Sequence, residues 1–330
     1  MTTDKSTLSP LSSVPSDPLS DGKPAFGTYV GRSGNTTLDR RELGISRLRM
    51  AASEKRWQWF TAFGDEVVVG GAIVDAGFFG TAFLWVFDRT TESLAVDADV
   101  IVPAPFLSVT THPTVGHMAG IDLPRRSLSM EQTRDRFEVT GAFGGADLLL
   151  SFRPEDDRAI TAICPVDGRE RGLNITQKEP GVPVSGRVST GARTVDIDGI
   201  GLLDYSHGVL GRETRWNWAF AHGEGDGQAL SFNLVDSFND GLENVVWVDG
   251  VPHAVGPIEL ESDDSGTQWR VTSACGTVDA TLSAEGRRRE DIDIGLIRSF
   301  YDQPFGQWEG TVAGHSFEGV GVAEDHRTRW

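Results

Sequence analysis

The chain has 330 residues, of which 38% are hydrophobic and nine are tryptophan, and a formal net charge of -18 from 30 basic and 48 acidic side chains. That balance repels phosphate backbones and anionic membranes, so no nucleic-acid partner is expected. The length suits two domains of about 150 residues, each able to bury a core.

No run approaches the roughly 20 apolar residues of a membrane helix. The Ser-, Pro- and Asp-rich opening lacks the basic and apolar segments of a signal peptide, so a cytoplasmic location is expected. Cys164 and Cys275 stand far apart, with no metal-ligand spacing and no disulfide framework. The glycine fingerprint of dinucleotide sites, the phosphate loop and the GxSxG elbow are all missing. The chain is therefore expected to use no metal and no other cofactor.

In chain order, residues 1–26 read as a disordered tail, and 27–44 as a polar wrap around the first domain. Short runs rich in Val, Phe, Trp or Leu follow at 55–60, 66–74, 82–87, 96–102, 137–140 and 146–152, each bounded by Gly, Asp or Pro. Those are the marks of antiparallel strands and turns. Helical scraps are expected only near 130–136 and 291–298. Prolines and glycines at 180–191 suggest a break between a first domain, 27–185, and a second, 186–330. The second half continues with strand-like runs at 229–235, 244–248, 269–273, 277–283, 306–312 and 319–324. The fold class is all-β, as two consecutive antiparallel barrels or sandwiches.

The halves also share letters. FEVTGAFGGADLLLS at 137–151 aligns with WRVTSACGTVDATLS at 269–283, matching at seven of fifteen positions. Ile73-Val74-Asp75 leads to Trp85-Val86-Phe87 much as Leu202-Leu203-Asp204 leads to Trp218-Ala219-Phe220. An internal duplication is expected, with Asp75 falling on Asp204 and Trp85 on Trp218.

The chemistry concentrates in 199–218, GIGLLDYSHGVLGRETRWNW. An apolar run delivers Asp204 to a strand end; a Ser-His-Gly turn carries His207; Trp216 and Trp218, two apart, point to one side. A carboxyl in apolar surroundings has its neutral form favoured and can donate a proton. Asp204 is thus the candidate acid, with a turn-capping Asp as the alternative. His207 is the candidate to relay a proton or orient Asp204, with a structural donor in a glycine turn as the alternative. Trp57, Trp59, Trp216, Trp218 and Trp247 are candidates to wall the pocket, their π faces stabilising a developing cation. Arg212 can pair a ligand carboxylate, or an internal one, while Glu243 and Glu324 complete the ligand-binding set. Glu324 and His326 do not stand at metal-motif spacing.

Asp204 within 199–208, the closing QPFGQWEG at 303–310 and GVGVAE at 319–324 together resemble the carotenoid 1,2-hydratase and AttH-like superfamily of double lipocalin-like barrels. With Lys55-Arg56-Trp57, Glu243-Asn244 and Trp330, the chain is closer still to a bacterial domain family of unknown function related to that superfamily. The resemblance implies two lipocalin-like barrels and a pocket for a hydrophobic small molecule. It also places the hydratases' acid at Asp204, although Tyr205-Ser206-His207 departs from their signature. The expected function is acid-assisted hydration, isomerisation or cyclisation of an isoprenoid or polyketide-like compound in secondary metabolism. The alternative is a lipocalin-like carrier that sequesters an apolar ligand unchanged.

Overall fold

The computed structural model describes residues 11–20, 23–114, 116–166, 172–191, 193–293, 295 and 298–330. Two antiparallel sheets account for nearly all of it. The main strands of the first are β1 (Glu54–Phe63), β2 (Val67–Asp75), β3 (Phe79–Asp88), β4 (Ser93–Pro103), β5 (Leu107–Val109), β6 (Gly116–Leu123), β7 (Arg126–Gln132), β8 (Phe137–Phe143), β9 (Ala146–Phe152), β10 (Leu173–Thr190) and β11 (Thr194–Val209). Their order is β4-β3-β2-β1-β11-β10-β9-β8-β7-β6-β5, and the edge strand β5 curls round to pack on β2. The second sheet comprises β12 (Glu213–Gly225), β13 (Gln228–Asp236), β14 (Val245–Val248), β15 (Val251–Ala254), β16 (Ile258–Ser262), β17 (Gln268–Ser273), β18 (Val278–Asp293), β19 (Arg298–Val312) and β20 (His315–Arg329). Its order, β15-β14-β13-β12-β20-β19-β18-β17-β16, repeats the first sheet's without β5 and β6. These are two lipocalin-like barrels in series.

Sequence pattern tells which strands are covered on both faces. In β8 and β9 buried residues alternate with more open ones, as in a strand with one face in water. VVVGGAIVD of β2 is buried almost throughout, because one face fills the first barrel and the other meets the second. Each barrel interior is packed with side chains, around Phe60, Leu84 and Phe152 in the first and Phe232, Leu282 and Trp308 in the second. A third cluster, including Trp59, Trp85, Trp218, Tyr301 and Phe305, joins the outer faces of the two.

Several expectations change. The break expected at 185–186 falls inside the hairpin of β10 and β11, and the second sheet begins only at Glu213. Pro180 and Gly181, read as domain punctuation, sit in a β-bulge between Glu179 and Val182, with Gly181 at φ +68°. Asp204 therefore belongs to the first sheet. Within the expected tail, Ser12–Ser13 pairs in parallel with Tyr29 and Val30, and Leu19–Ser20 pairs with Lys23–Pro24; residues 1–10 and 21–22 lie outside the described residues. Gly27–Val30 is no loose wrap but adds to the sheet against Ile160–Pro165.

The expected helix at 130–136 is the end of β7 and a turn, and 291–293 closes β18, with 294, 296 and 297 outside the described residues. An α-helix forms instead at Arg47–Ser53, its first turn capped by the Ser46 hydroxyl on the Arg49 N–H. The paired segments 137–151 and 269–283 do occupy equivalent hairpins, β8/β9 and β17/β18. Asp75 and Trp85 lie on β2 and β3, whereas Asp204 ends the first half and Trp218 opens the second. That second parallel falls. By strand order, Trp59 matches Trp218 and Asp204 matches Glu324: Trp59 opposes Asp204 in register in the first sheet as Trp218 opposes Glu324 in the second. No described helix is long and apolar enough to cross a membrane.

The barrels are keyed together by a stack. Trp85 lies 4.4 Å from Phe305, nearly parallel, and Phe87 meets Phe305 edge-on at 5.2 Å. The stack needs two glycines beneath it: a Cβ at Gly70 would stand 2.3 Å from the Trp85 ring, and one at Gly286 would stand 2.4 Å from Phe305. Gly70→Ala and Gly286→Ala should each cost about 1–3 kcal/mol of stability, the usual range for overpacking. Urea unfolding of the two variants checks this; wild-type midpoints would refute the keying.

Candidate active site

Period two of the strands builds the site. On β10, Leu173 and Ile175 turn to one face while Asn174, Thr176 and Lys178 turn to the other; Asp204 and Ser206 of β11 and Trp57 and Trp59 of β1 join them in register. The second barrel answers with Trp216 and Trp218 of β12, Glu324, His326 and Thr328 of β20, Ser299 and Tyr301 of β19, and Arg288 and Glu290 of β18. Between the two outer faces lies a cavity of about 1100 Å³, including its open mouth. This cavity lies inside neither barrel, against the cluster that joins their outer faces.

Asp204 is 4% exposed and accepts hydrogen bonds on both oxygens. The Trp57 indole N–H reaches Oδ2 at 3.1 Å, and the Lys178 ammonium lies 2.8 Å from Oδ1, with the hydroxyls of Thr176 and Ser206 at 3.4 Å. Lys178 also lies 3.6 Å from Glu243 and 4.5 Å from the centre of the Trp218 ring. Burial is the largest influence on the lysine and pushes its pKa down, but Asp204, Glu243 and Glu324 together more than reverse this, leaving it raised. It is a buried ammonium. The expected apolar surroundings of Asp204 are thus replaced by an ion pair.

The second barrel holds a counterpart. Glu324 accepts from the Trp216 indole at 2.8 Å and from the Gln303 amide at 2.7 Å, with His326 at 3.6 Å. Trp57 and Trp216 stack at 6.0 Å, and Trp59 meets Trp218 edge-on at 5.1 Å. Glu243 is held by Asn233 and Asn239, and Asn233 accepts the Trp218 indole N–H at 2.8 Å. Burial, with Glu324 adding to it, raises the Tyr301 phenol well above its ordinary range, so that the group is neutral.

Seven of the sequence candidates line this cavity: Asp204, Trp57, Trp59, Trp216, Trp218, Glu243 and Glu324. Three do not. His207 is fully buried on the opposite face of β11, because the expected turn is strand and three residues reverse the face. Its ring joins Glu54 at 2.9 Å and Thr36 at 3.2 Å. Trp247 is packed with Ile160 and Val245 and donates to the Arg158 carbonyl at 2.7 Å. Arg212 is exposed in the linker, where its carbonyl accepts the Trp330 N–H at 2.9 Å.

Lys178, Arg288 and Tyr301 were not anticipated. Their signal was polar residues alternating with apolar ones inside long strands, as in Asn174, Thr176 and Lys178. Among the described residues no group of three or more His, Cys, Asp or Glu side chains is arranged to hold a metal ion.

A family model described as "Domain of unknown function (DUF2804)" matches residues 20–330. No curated protein matches the chain. Among solved structures, kievitone hydratase from Nectria haematococca is similar at 12% identity and a TM-score of 0.56, covering 90% of this chain and 97% of that one. A putative AttH from Nitrosomonas europaea gives 12% identity, a TM-score of 0.48 and coverage of 82% and 92%. CghA with Sch210972 gives 10%, 0.47, and 84% and 89%. At such identity the first likeness is one of fold.

Lys178→Met leaves Asp204 and Glu243 buried without their cation, so it should cost about 3–5 kcal/mol at pH 7, as breaking a buried pair does. Because the lysine's folded pKa is raised, its stabilisation is fully present below about pH 10.5, its unfolded value, and is lost only above that. The deficit of the variant should therefore hold from neutral pH up to about pH 10.5 and narrow above it. Denaturant melts of both proteins from about pH 7 to about pH 11.5 provide the check. A deficit that stays constant across that range would sink the assignment.

Proposed function

This chain belongs to the DUF2804 family, a relative of the AttH-like double-lipocalin superfamily, and we propose that it is a cofactor-independent enzyme moving protons on a hydrophobic small molecule held between its barrels. Hydration or its reverse, isomerisation and cyclisation of an isoprenoid or polyketide-like skeleton are the reactions this supports. The observation that carries the reading is one cavity in which carboxylates fixed by indole N–H groups stand inside a wall of tryptophans. The fold shared with a hydratase agrees with this class of chemistry by analogy only.

Asp204 and Lys178 act as one proton-exchanging unit, since the carboxylate and the ammonium stand 2.8 Å apart, close enough for a proton to pass between them. In hydration the unit delivers a proton to one alkene carbon and water bonds to the other. The proton that the bound water then loses returns to the unit, so the sum is addition of one water. In isomerisation or cyclisation the unit protonates one carbon and takes a proton from another. Both routes pass through positive charge on carbon, which the tryptophan faces and the fixed carboxylates lower in energy.

Mass spectrometry of small molecules that co-purify with the protein, followed by turnover in heavy-oxygen water, identifies substrate and reaction. Asp204→Asn should then fold and still quench tryptophan fluorescence on binding ligand, but lose about 10²- to 10⁴-fold in turnover. Full turnover by that variant would remove Asp204 from the chemistry. Quenching with no turnover in the wild type would leave a carrier of apolar ligands.

A further inference from the structure

We infer that the molecule this cavity takes carries a positive charge: a protonated amine or quaternary ammonium on an apolar skeleton, seated against the stacked Trp57 and Trp216 beside Glu324. The inference rests on the cavity between the barrels being the ligand site, as proposed above, and names the class of ligand.

The first ground is a charge imbalance. Four carboxylates line the cavity, Asp204, Glu243, Glu290 and Glu324, against two permanent cations, Lys178 and Arg288. Neither cation is free to balance the remainder. Lys178 is divided between Asp204 and Glu243, and Arg288 between Glu290 and Asp97. Among the described residues Glu324 has no Lys or Arg within ion-pair distance; its partners are Trp216, Gln303 and, at 3.6 Å, His326. Buried carboxylates without cations are costly to maintain, and an incoming cation offsets that cost.

The second ground is the shape of the wall. Trp57 and Trp216 lie nearly parallel, 12° apart, and Phe238 and the edge of His326 close on Trp216 at 5.5 and 4.3 Å. Aromatic faces set beside carboxylates are how ammonium groups are recognised. The protein holds such pairings internally, Lys178 over Trp218 and Arg288 over Phe83 among them. That lysine stays protonated because Asp204, Glu243 and Glu324 outweigh desolvation at its position. Finally, the Tyr301 hydroxyl lines the same cavity, 6% exposed as a residue, with the Trp59 indole beside it and, among the described residues, no partner at full hydrogen-bonding geometry. Its oxygen can accept from an amine N–H.

The test titrates the protein's tryptophan fluorescence at neutral pH with benzyltrimethylammonium and with its uncharged isostere, neopentylbenzene. Wild type should bind the ammonium at least about tenfold more tightly than the isostere. Glu324→Gln should remove most of that preference while leaving the isostere's affinity unchanged. Asp204→Asn serves as a second variant should the first melt early in a thermal scan. Equal binding of the two probes, or a preference surviving both substitutions, would overturn the inference while leaving the cavity reading intact. No quenching by either probe would count against both.

Discussion

One ammonium shared by two carboxylates underlies the architecture of this protein. Lys178 and Asp204 come from the first sheet and Glu243 from the second half, so the 2.8 Å contact lies within the first sheet and the 3.6 Å contact crosses between the barrels. The contacts close on themselves. Glu243 is held by Asn233, Asn233 holds the Trp218 indole, and the Trp218 ring faces Lys178. Asn239, which also holds Glu243, sits at φ +57° between Ser237 and Asp240, two further residues with positive φ. Non-glycine residues resist that conformation, and here surrounding contacts over-determine it. The same loop leads to Glu243, which stands 3.6 Å from Lys178.

The two halves present the same plan with different chemistry. Each places a tryptophan indole on a carboxylate, Trp57 on Asp204 and Trp216 on Glu324. Each also sets a second donor on the neighbouring strand, but in the first half it is Lys178 and in the second Gln303. A repeated fold therefore yields two carboxylates that are alike in position and unlike in charge balance. The cavity lies where those two sites face each other, and the stacked tryptophans mark the seam.

Local composition was enough for the all-β class, because strands covered on one face alternate and strands covered on both do not, as β8 and β2 illustrate. It also picked Asp204, Trp216 and Trp218, since an apolar run ending in a carboxylate and two tryptophans at period two constrain direction whatever the partners. The repeat of 137–151 at 269–283 marked equivalent hairpins. What failed did so where local signals are ambiguous. Pro180 and Gly181 look the same in a domain break and in a bulge, and Ser206-His207-Gly208 the same in a turn and in a strand. The second misreading put His207 beside Asp204, when strand geometry sends it to the opposite face.

The sequence by itself thus determined the class of fold, the periodicity and the residue types that a strand can bring to one face. Tertiary structure decided that the cavity lies between the barrels rather than inside one, that Asp204 has a lysine for a partner, and that Glu324 rather than Asp75 is its counterpart. The reason is that sheet pairing is non-local. Lys178 and Asp204 are opposed by a hydrogen-bond register set over the whole of β10 and β11, and Glu243 joins them only when the second barrel docks on the first. No window of neighbouring residues carries that register or that docking.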